Sequence, residues 1–289
     1  MTLSRAEIGR LIAGCSLKPS RALGQNFVAD PNTVRRIARL AGVGPGDRVV
    51  EVGAGLGSLT LALAETGASV LALEKDHRLV SVLHQVLGER LQGPSVRVVE
   101  ADVMDLAWEE LLVPPRGWVL VANLPYNIAT PLVADLLDNV AAIERMLVLV
   151  QEEVARRFVA VPGDPSYGAV SAKLAYWAEA RWSGTVASSV FVPQPRVGSA
   201  LVSLRRRPEP AVDPAVAPAE LVFKLVRAGF ATRRKMLRRA LRETVPAGAF
   251  ATAGIDPAAR AEQLGIGEWG KLASAVVGSG AAEASGGQR

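Results

Sequence analysis

The chain holds one cysteine, Cys15, and two histidines, His77 and His84, in 289 residues. A single thiol rules out an intramolecular disulfide framework and a cysteine-built zinc site, and it points to a reducing compartment. Two imidazoles leave little for a histidine-rich metal centre or a Ser/His/Asp triad, so the sequence predicts no metal. No run approaches the roughly 18 apolar residues of a membrane helix. The apolar stretch from Leu11 to Leu17 is broken by Gly14 and Ser16 and lacks a cleavage site, which argues against a signal peptide. A soluble cytoplasmic protein with no membrane partner is expected.

What is present is material for a core. Hydrophobic residues make up 49% against 21% charged, which excludes wholesale disorder. At about 150 residues per domain the length predicts near two domains. The charge is uneven. Residues 205–242 carry eleven Lys and Arg against Glu209, Asp213 and Glu220, so they sum to +8 in a chain of net +5, and the rest sums to −3. Such a segment fits a polyanionic partner as well as it fits a solvated helix face.

Short β-rich runs alternate with helical patterns over the first 200 residues. Strands are predicted at Arg48–Gly53, Ser69–Glu74, Val96–Glu100, Trp118–Ala122 and Ile143–Val150, with helices at Ser58–Glu65, Asp76–Glu89 and Thr130–Asn139. That alternation predicts an α/β domain with an open parallel sheet between helices. Two later runs, Thr185–Phe191 and Ser199–Arg205, lack a helix between them and fit an antiparallel pair at the sheet edge. Pro208, Pro210, Pro214 and Pro218 interrupt helix and ladder alike. The organisation is therefore a first domain over 1–207 with an N-terminal extension, a proline-rich linker over 208–219, a smaller helical basic domain over 220–277 and a loose tail over 278–289. Taken as one continuous helix, the 220s to 240s bring Arg227, Arg234, Arg238 and Arg242 within an arc of roughly 80°. A break at Gly229 would remove Arg227 from it.

The first strand runs into Glu51-Val52-Gly53-Ala54-Gly55-Leu56-Gly57. The spacing G-x-G-x-G differs from the G-x-G-x-x-G of a pyrophosphate site and suits a nucleoside ligand without phosphate. Glu74 ends the second strand, where a carboxylate can accept ribose hydroxyls, and Asp102 follows the third at the same edge. After the fourth come Asn123-Leu124-Pro125-Tyr126. Pro125 restricts Leu124 to an extended conformation. The Asn123 side-chain carbonyl and the Leu124 backbone carbonyl form two acceptors for the two hydrogens of an exocyclic amine. Tyr126 supplies a flat face for a base.

With Leu23-Gly24-Gln25-Asn26-Phe27-Val28, Gln151 to Arg157, Phe191-Val192-Pro193-Gln194-Pro195-Arg196-Val197-Gly198-Ser199, and Phe230 through Leu237, these segments resemble one family. It is the small-subunit (16S) ribosomal RNA adenine N6,N6-dimethyltransferases, which are S-adenosylmethionine-dependent enzymes of Rossmann-like fold. The resemblance spans about Lys18 to Leu241. It implies dimethylation of two adjacent adenines in the 3′-terminal hairpin of 16S ribosomal RNA, a role in ribosome biogenesis, and a monomer whose partner is the small subunit. Carried over by position, Asn26, Val28, Gly53, Glu74, Asp102 and Asn123 contact the cofactor, with Glu74 on the ribose and Asp102 on the adenine amine. Asn123 and Leu124 hold the target amine, and Tyr126 and Phe191 sandwich the target base. Arg227, Arg233, Arg234, Lys235, Arg238 and Arg242 are the expected RNA contacts. Val28 stands where the family usually has Leu, Gln194 where it has Pro, and Gly198 where it has a larger or acidic residue. Three other readings stay open: a large-subunit dimethyltransferase of the antibiotic-resistance type, a DNA adenine methyltransferase, and an assembly or transcription factor that uses the fold mainly for binding.

Overall fold

The computed structural model describes residues 2–14, 25–93 and 95–286, with side chains up to Ser279. Cys15, Lys18, Leu23 and Gly24 lie outside the described residues. The strands are β1 Phe27–Val28, β2 Arg48–Val52, β3 Ser69–Glu74, β4 Val96–Glu100, β5 Trp118–Asn123, β6 Ile143–Gln151, β7 Ala178–Val186, β8 Phe191–Val192 and β9 Ser199–Arg206. The helices are α1 Arg5–Gly14, α2 Pro31–Ala41, α3 Ser58–Ala64, α4 His77–Arg90, α5 Trp108–Leu111, α6 Ala129–Asn139, α7 Glu152–Val159, α8 Ala169–Trp177, α9 Ala219–Ala231, α10 Leu237–Ala240, α11 Ala247–Ala253 and α12 Ile266–Gly286. No described helix is long and apolar enough to cross a membrane.

Seven strands form one sheet in the order β4-β3-β2-β5-β6-β9-β7. Its first five strands are parallel, and β9 runs antiparallel to β6. The central strands are continuous apolar runs because both faces are covered. One face packs with α2 and α3 through Val34, Ile37, Leu59 and Leu63. The other packs with α4 and α1 through Leu79, Leu83 and Ile8. Local chemistry fixes the helix ends. Asp30 accepts the Thr33 N–H at 2.8 Å and Pro31 opens α2, while Gly42 closes it in the left-handed region at φ 59°. Arg206, the last residue of β9, closes α6. Its guanidinium donates to the carbonyls of Leu136, Leu137, Val140 and Ile143 at 2.8–3.1 Å, satisfying carbonyls that a helix end leaves unpaired.

The five parallel strands stand where the alternation put them, to within one residue at each end. The edge differs. The run expected at Thr185–Phe191 is divided: β7 occupies Ala178–Val186, a single 3-10 turn follows, and Phe191–Val192 pairs antiparallel with Phe27–Val28 instead.

The chain forms two compact units, Met1–Ala155 with Ala180–Arg206, and Arg156–Glu179 with Arg207–Arg289. A first domain running unbroken to 207 therefore needs correction, since 156–179 belongs with the C-terminal helices. Backbone bonding explains it. The Arg207 and Ala211 N–H groups donate to the carbonyls of Trp177 and Tyr176, both at 2.8 Å. Tyr176 also meets Phe223 edge-on at 4.9 Å.

Within this second unit the single long basic helix does not exist. α9 ends at Ala231, a turn brings the Lys235 N–H to the Thr232 carbonyl, and Leu237 and Arg238 donate to Ala259 and Pro257. The 257–260 segment thus supplies the partners a continuing helix would have used, and no single helix carries Arg227, Arg234, Arg238 and Arg242. Gly229 does not break α9. It lies within it, where a Cβ would come 2.6 Å from the Trp269 ring, so close helix packing demands it. The expected tail from Gly278 is helical to Gly286, consistent with the high helix propensity of its alanines.

Candidate active site

β2, β3 and β5 end at one edge of the sheet, and the loops that leave that edge line a cavity in the first unit. Asn26, Gly53, Glu74, Asp102 and Asn123 all line it. The sequence reading missed Phe27, Lys75 and Met104, which line it too. Phe27 could have been suspected as the aromatic next to Asn26. Its ring lies on the glycine loop, 3.0 Å from where a Cβ on Gly55 would be. Gly55 has φ 57°, so both the turn and the aromatic contact require glycine.

Glu74 holds this loop. Its Oε2 accepts the Gly55 N–H at 2.8 Å, and its Oε1 accepts those of Lys75 and Asp76 at 2.9 Å. Burial pushes its carboxyl above the usual range, while the N–H groups of Asp76, Gly55 and Lys75 pull it back. A carboxylate offers about four acceptor sites, so Oε2 keeps room for a ligand hydroxyl. Asp102 accepts the Met104 N–H at 3.1 Å and an ion pair from Lys75. That ammonium holds the Asp102 carboxyl below its ordinary value. Asp102 is therefore both a turn-former and an acceptor at the cavity wall. Three carboxylates, Glu74, Asp76 and Asp102, an aromatic lid on a glycine loop and the apolar Leu79 and Val103 suit a nucleoside with a neutral or positive substituent and repel a phosphate.

Asn123 donates from Nδ2 to the Asn26 carbonyl at 2.8 Å. A carbonyl partner demands the amide nitrogen on that side, so Oδ1 is the group left to accept from a ligand. The Leu124 side chain is buried and its N–H donates to the Leu149 carbonyl at 3.1 Å. Its own carbonyl takes no backbone bond among the described residues. Tyr126 is half-buried, with its hydroxyl 3.0 Å from Ser199 Oγ. Neither Leu124 nor Tyr126 lines the cavity of Glu74 and Asp102.

Two expected site residues are placed differently. Phe191 is 0% exposed and Val28 is 5% exposed, and both belong to the core against α2. They are register partners in the β1–β8 pair, which turns both side chains inward. Pro193 and Pro195 therefore stiffen the loop after Phe191 without presenting its ring to a base. Of the basic residues, Arg227, Arg234, Lys235, Arg238 and Arg242 are exposed. Arg233 is tied to Glu262 at 2.5 Å and to the Pro165 carbonyl, and Arg242 pairs with Glu243 at 3.4 Å.

Glu51 is buried behind the loop, and its Oε2 has no hydrogen-bond partner among the described residues. Burial pushes its pKa up to about 8 from the usual 4.5, and the charge of Glu74 adds to the rise; Thr60 opposes it without reaching hydrogen-bond geometry. The folded protein thus takes up a proton between these two values, and stability falls as pH rises through that window. Glu51→Gln removes the penalty. Its stability advantage over the parent is expected to be absent near pH 4 and to reach a few kcal/mol near pH 8. Urea unfolding midpoints across that range measure it, and an advantage independent of pH would mean that Glu51 does not titrate there.

Comparison with known proteins agrees with this geometry. A ribosomal RNA small subunit methyltransferase A of Thermobifida fusca is 47% identical over 278 residues, covering 94% of this chain and 95% of its own. One from Cutibacterium acnes is 46% identical over 294 residues, covering 98% and 97%. Among solved structures, the 23S rRNA methyltransferase ErmE aligns with TM-score 0.68 at 27% identity, over 87% of this chain and 99% of that one. A dimethyladenosine transferase from Plasmodium falciparum shares the fold at TM-score 0.71 and 22% identity, over 84% and 94%. The sequence pattern of the ribosomal RNA adenine dimethylases covers residues 17–276, and with the nucleoside cavity and the Asn123 loop in one α/β unit, the chain belongs to that family.

Proposed function

We propose that this enzyme dimethylates N6 of two adjacent adenines in the 3′-terminal hairpin of small-subunit ribosomal RNA, with S-adenosylmethionine as cofactor. The observation that carries the reading is the locked Asn123 amide. With Nδ2 turned to the Asn26 carbonyl, Oδ1 is the atom left to accept from a ligand, and together with the Leu124 carbonyl it matches the two hydrogens of an adenine amine.

Glu74 and Asp102 hold the cofactor's ribose and adenine, and Asn26, Gly53 and Phe27 complete the seat. The bound cofactor supplies an activated sulfonium methyl. The chain's own work is orientation. Two carbonyl acceptors draw the amine hydrogens into place and aim the nitrogen lone pair away from the ring. Such positioning can be worth roughly 7–11 kcal/mol in favourable systems. The same oxygens face the positive charge that develops on nitrogen, which adds electrostatic stabilisation. The proton leaves to water afterwards. A monomethylated amine keeps one N–H, so in the second round one carbonyl must tolerate a methyl group. The target adenine must leave its stack, and Tyr126 offers it a face. Exposed Arg234, Lys235 and Arg238 suit RNA phosphates, while Arg233 serves chiefly to anchor its own turn. The sulfonium needs no further activation, so this chemistry calls for no metal ion.

The large-subunit alternative is weakened by the higher identity to relatives named for the small subunit. Labelled cofactor with undermethylated small subunits, large subunits and duplex DNA separates the possibilities. Label is expected on two neighbouring adenines of the small-subunit RNA only. Label confined to large subunits or to DNA would overturn the proposal.

A further inference from the structure

Tyr126 is held from one direction that the reaction does not explain. Its hydroxyl meets Ser199 Oγ at 3.0 Å, and Ser199 is 1% exposed at the start of β9. The backbone there is fixed. Ser199 is the register partner of Gln151, and the preceding Gly198 carbonyl accepts the Glu152 N–H at 3.0 Å. A Cβ at Gly198 would fall 2.9 Å from Glu152 Oε2, so the larger residue usual at this position would require the end of that glutamate side chain to shift. The loop holding Tyr126 is itself tied down by Leu124 to Leu149 and by the Pro125 carbonyl to Ile128 and Ala129. What remains free in Tyr126 is its side chain; the hydroxyl lies on the axis of the ring torsion, so a bond to it leaves the ring's twist alone but stops the phenol from swinging to another χ1 rotamer.

We propose that Ser199 is a positioning residue for methyl transfer: its buried hydroxyl holds the phenol in one rotamer, so that the ring stays where the extruded adenine stacks. The proposal rests on the stacking role given to Tyr126. Burial raises the Tyr126 phenol pKa and the Ser199 bond opposes the rise. A hydroxyl pair of this kind exchanges protons with nothing, so its contribution is orientation alone. An adenine stacked on a swinging ring would sample the two carbonyl acceptors less often, and the cost would fall on the rate and not on cofactor binding.

The test uses the full chain, undermethylated small subunits and labelled S-adenosylmethionine at saturation, in single turnover. Ser199→Ala and Tyr126→Phe remove the same bond from its two ends. Each is expected to slow transfer by about tenfold, as for one hydrogen bond whose partner stays buried. The double variant should be no slower than either single one. Ser199→Thr, which keeps the hydroxyl, should restore most of the rate, and cofactor affinity from calorimetry should not move. A purely structural Ser199 would lower the melting midpoint and leave the Tyr126→Phe rate parental, and that result would overturn the proposal. So would independent, multiplying losses in the double variant. Tyr126→Phe leaves no cavity and carries the test if a Ser199 variant folds poorly. Tyr126→Ala separates the two layers. A parental rate there removes the stacking role itself, whereas a slow Tyr126→Ala beside a parental Tyr126→Phe removes only the role of Ser199.

Discussion

Asn123→Ala is expected to lower the single-turnover methylation rate by about a hundredfold at saturating cofactor, with small-subunit affinity near that of the parent. The acceptor it removes matters most when the adenine nitrogen becomes positive, so the loss falls on the transition state. The contact with Asn26 makes a second variant informative. Asn123→Asp keeps the acceptor Oδ1 but puts a second oxygen in place of the nitrogen that now donates to the Asn26 carbonyl at 2.8 Å. Two acceptors cannot bond each other, so the side chain should swing away and recover little of the rate. Rapid quenching of labelled transfer measures both. A parental rate in Asn123→Ala would take the residue out of the chemistry.

Glu74→Ala should cost more in cofactor binding than loss of a ribose contact alone. A hydrogen bond to a charged acceptor is worth about 1.5–3 kcal/mol, roughly ten- to a hundredfold in affinity. Glu74 also gathers the N–H groups of Gly55, Lys75 and Asp76. Without it three donors lose their acceptor and the loop under Phe27 loses its shape. A weakening of a hundredfold or more is expected by calorimetric titration. Glu74→Gln, which retains one acceptor oxygen, should fall between the two. Unchanged affinity in Glu74→Ala would exclude Glu74 from the site.

The cavity was readable because its parts are local. Gly53, Glu74, Asp102 and Asn123 each end or follow a strand whose apolar run is visible by itself, and parallel strands bring those ends to one edge. Phe191 was not readable in the same way. Whether an aromatic that ends a β run is buried depends on its partner, and that partner, Val28, lies far back in the chain. The break after α9 was equally hidden, for no Gly or Pro stands between Ala231 and Leu237. The carbonyls of Pro257 and Ala259 end the helix from outside. Ser199 looked like the close of a motif, and only the fold shows it under Tyr126.

Arg206 gives β9 a second meaning. The strand begins at Ser199, bonded to Tyr126 in the loop before α6, and ends at Arg206, bonded to the carbonyls at the far end of that same helix. One strand thus spans loop and helix like a ruler laid alongside them, with a fixed mark at each end. Strand side chains alternate faces, so deleting two neighbouring residues from its middle would keep every remaining one on its own face. The ruler would still be about 7 Å too short for both marks. Homologous chains that vary the apolar residues within β9 should therefore keep its length, and an engineered change of length should detach either the tyrosine or the helix end.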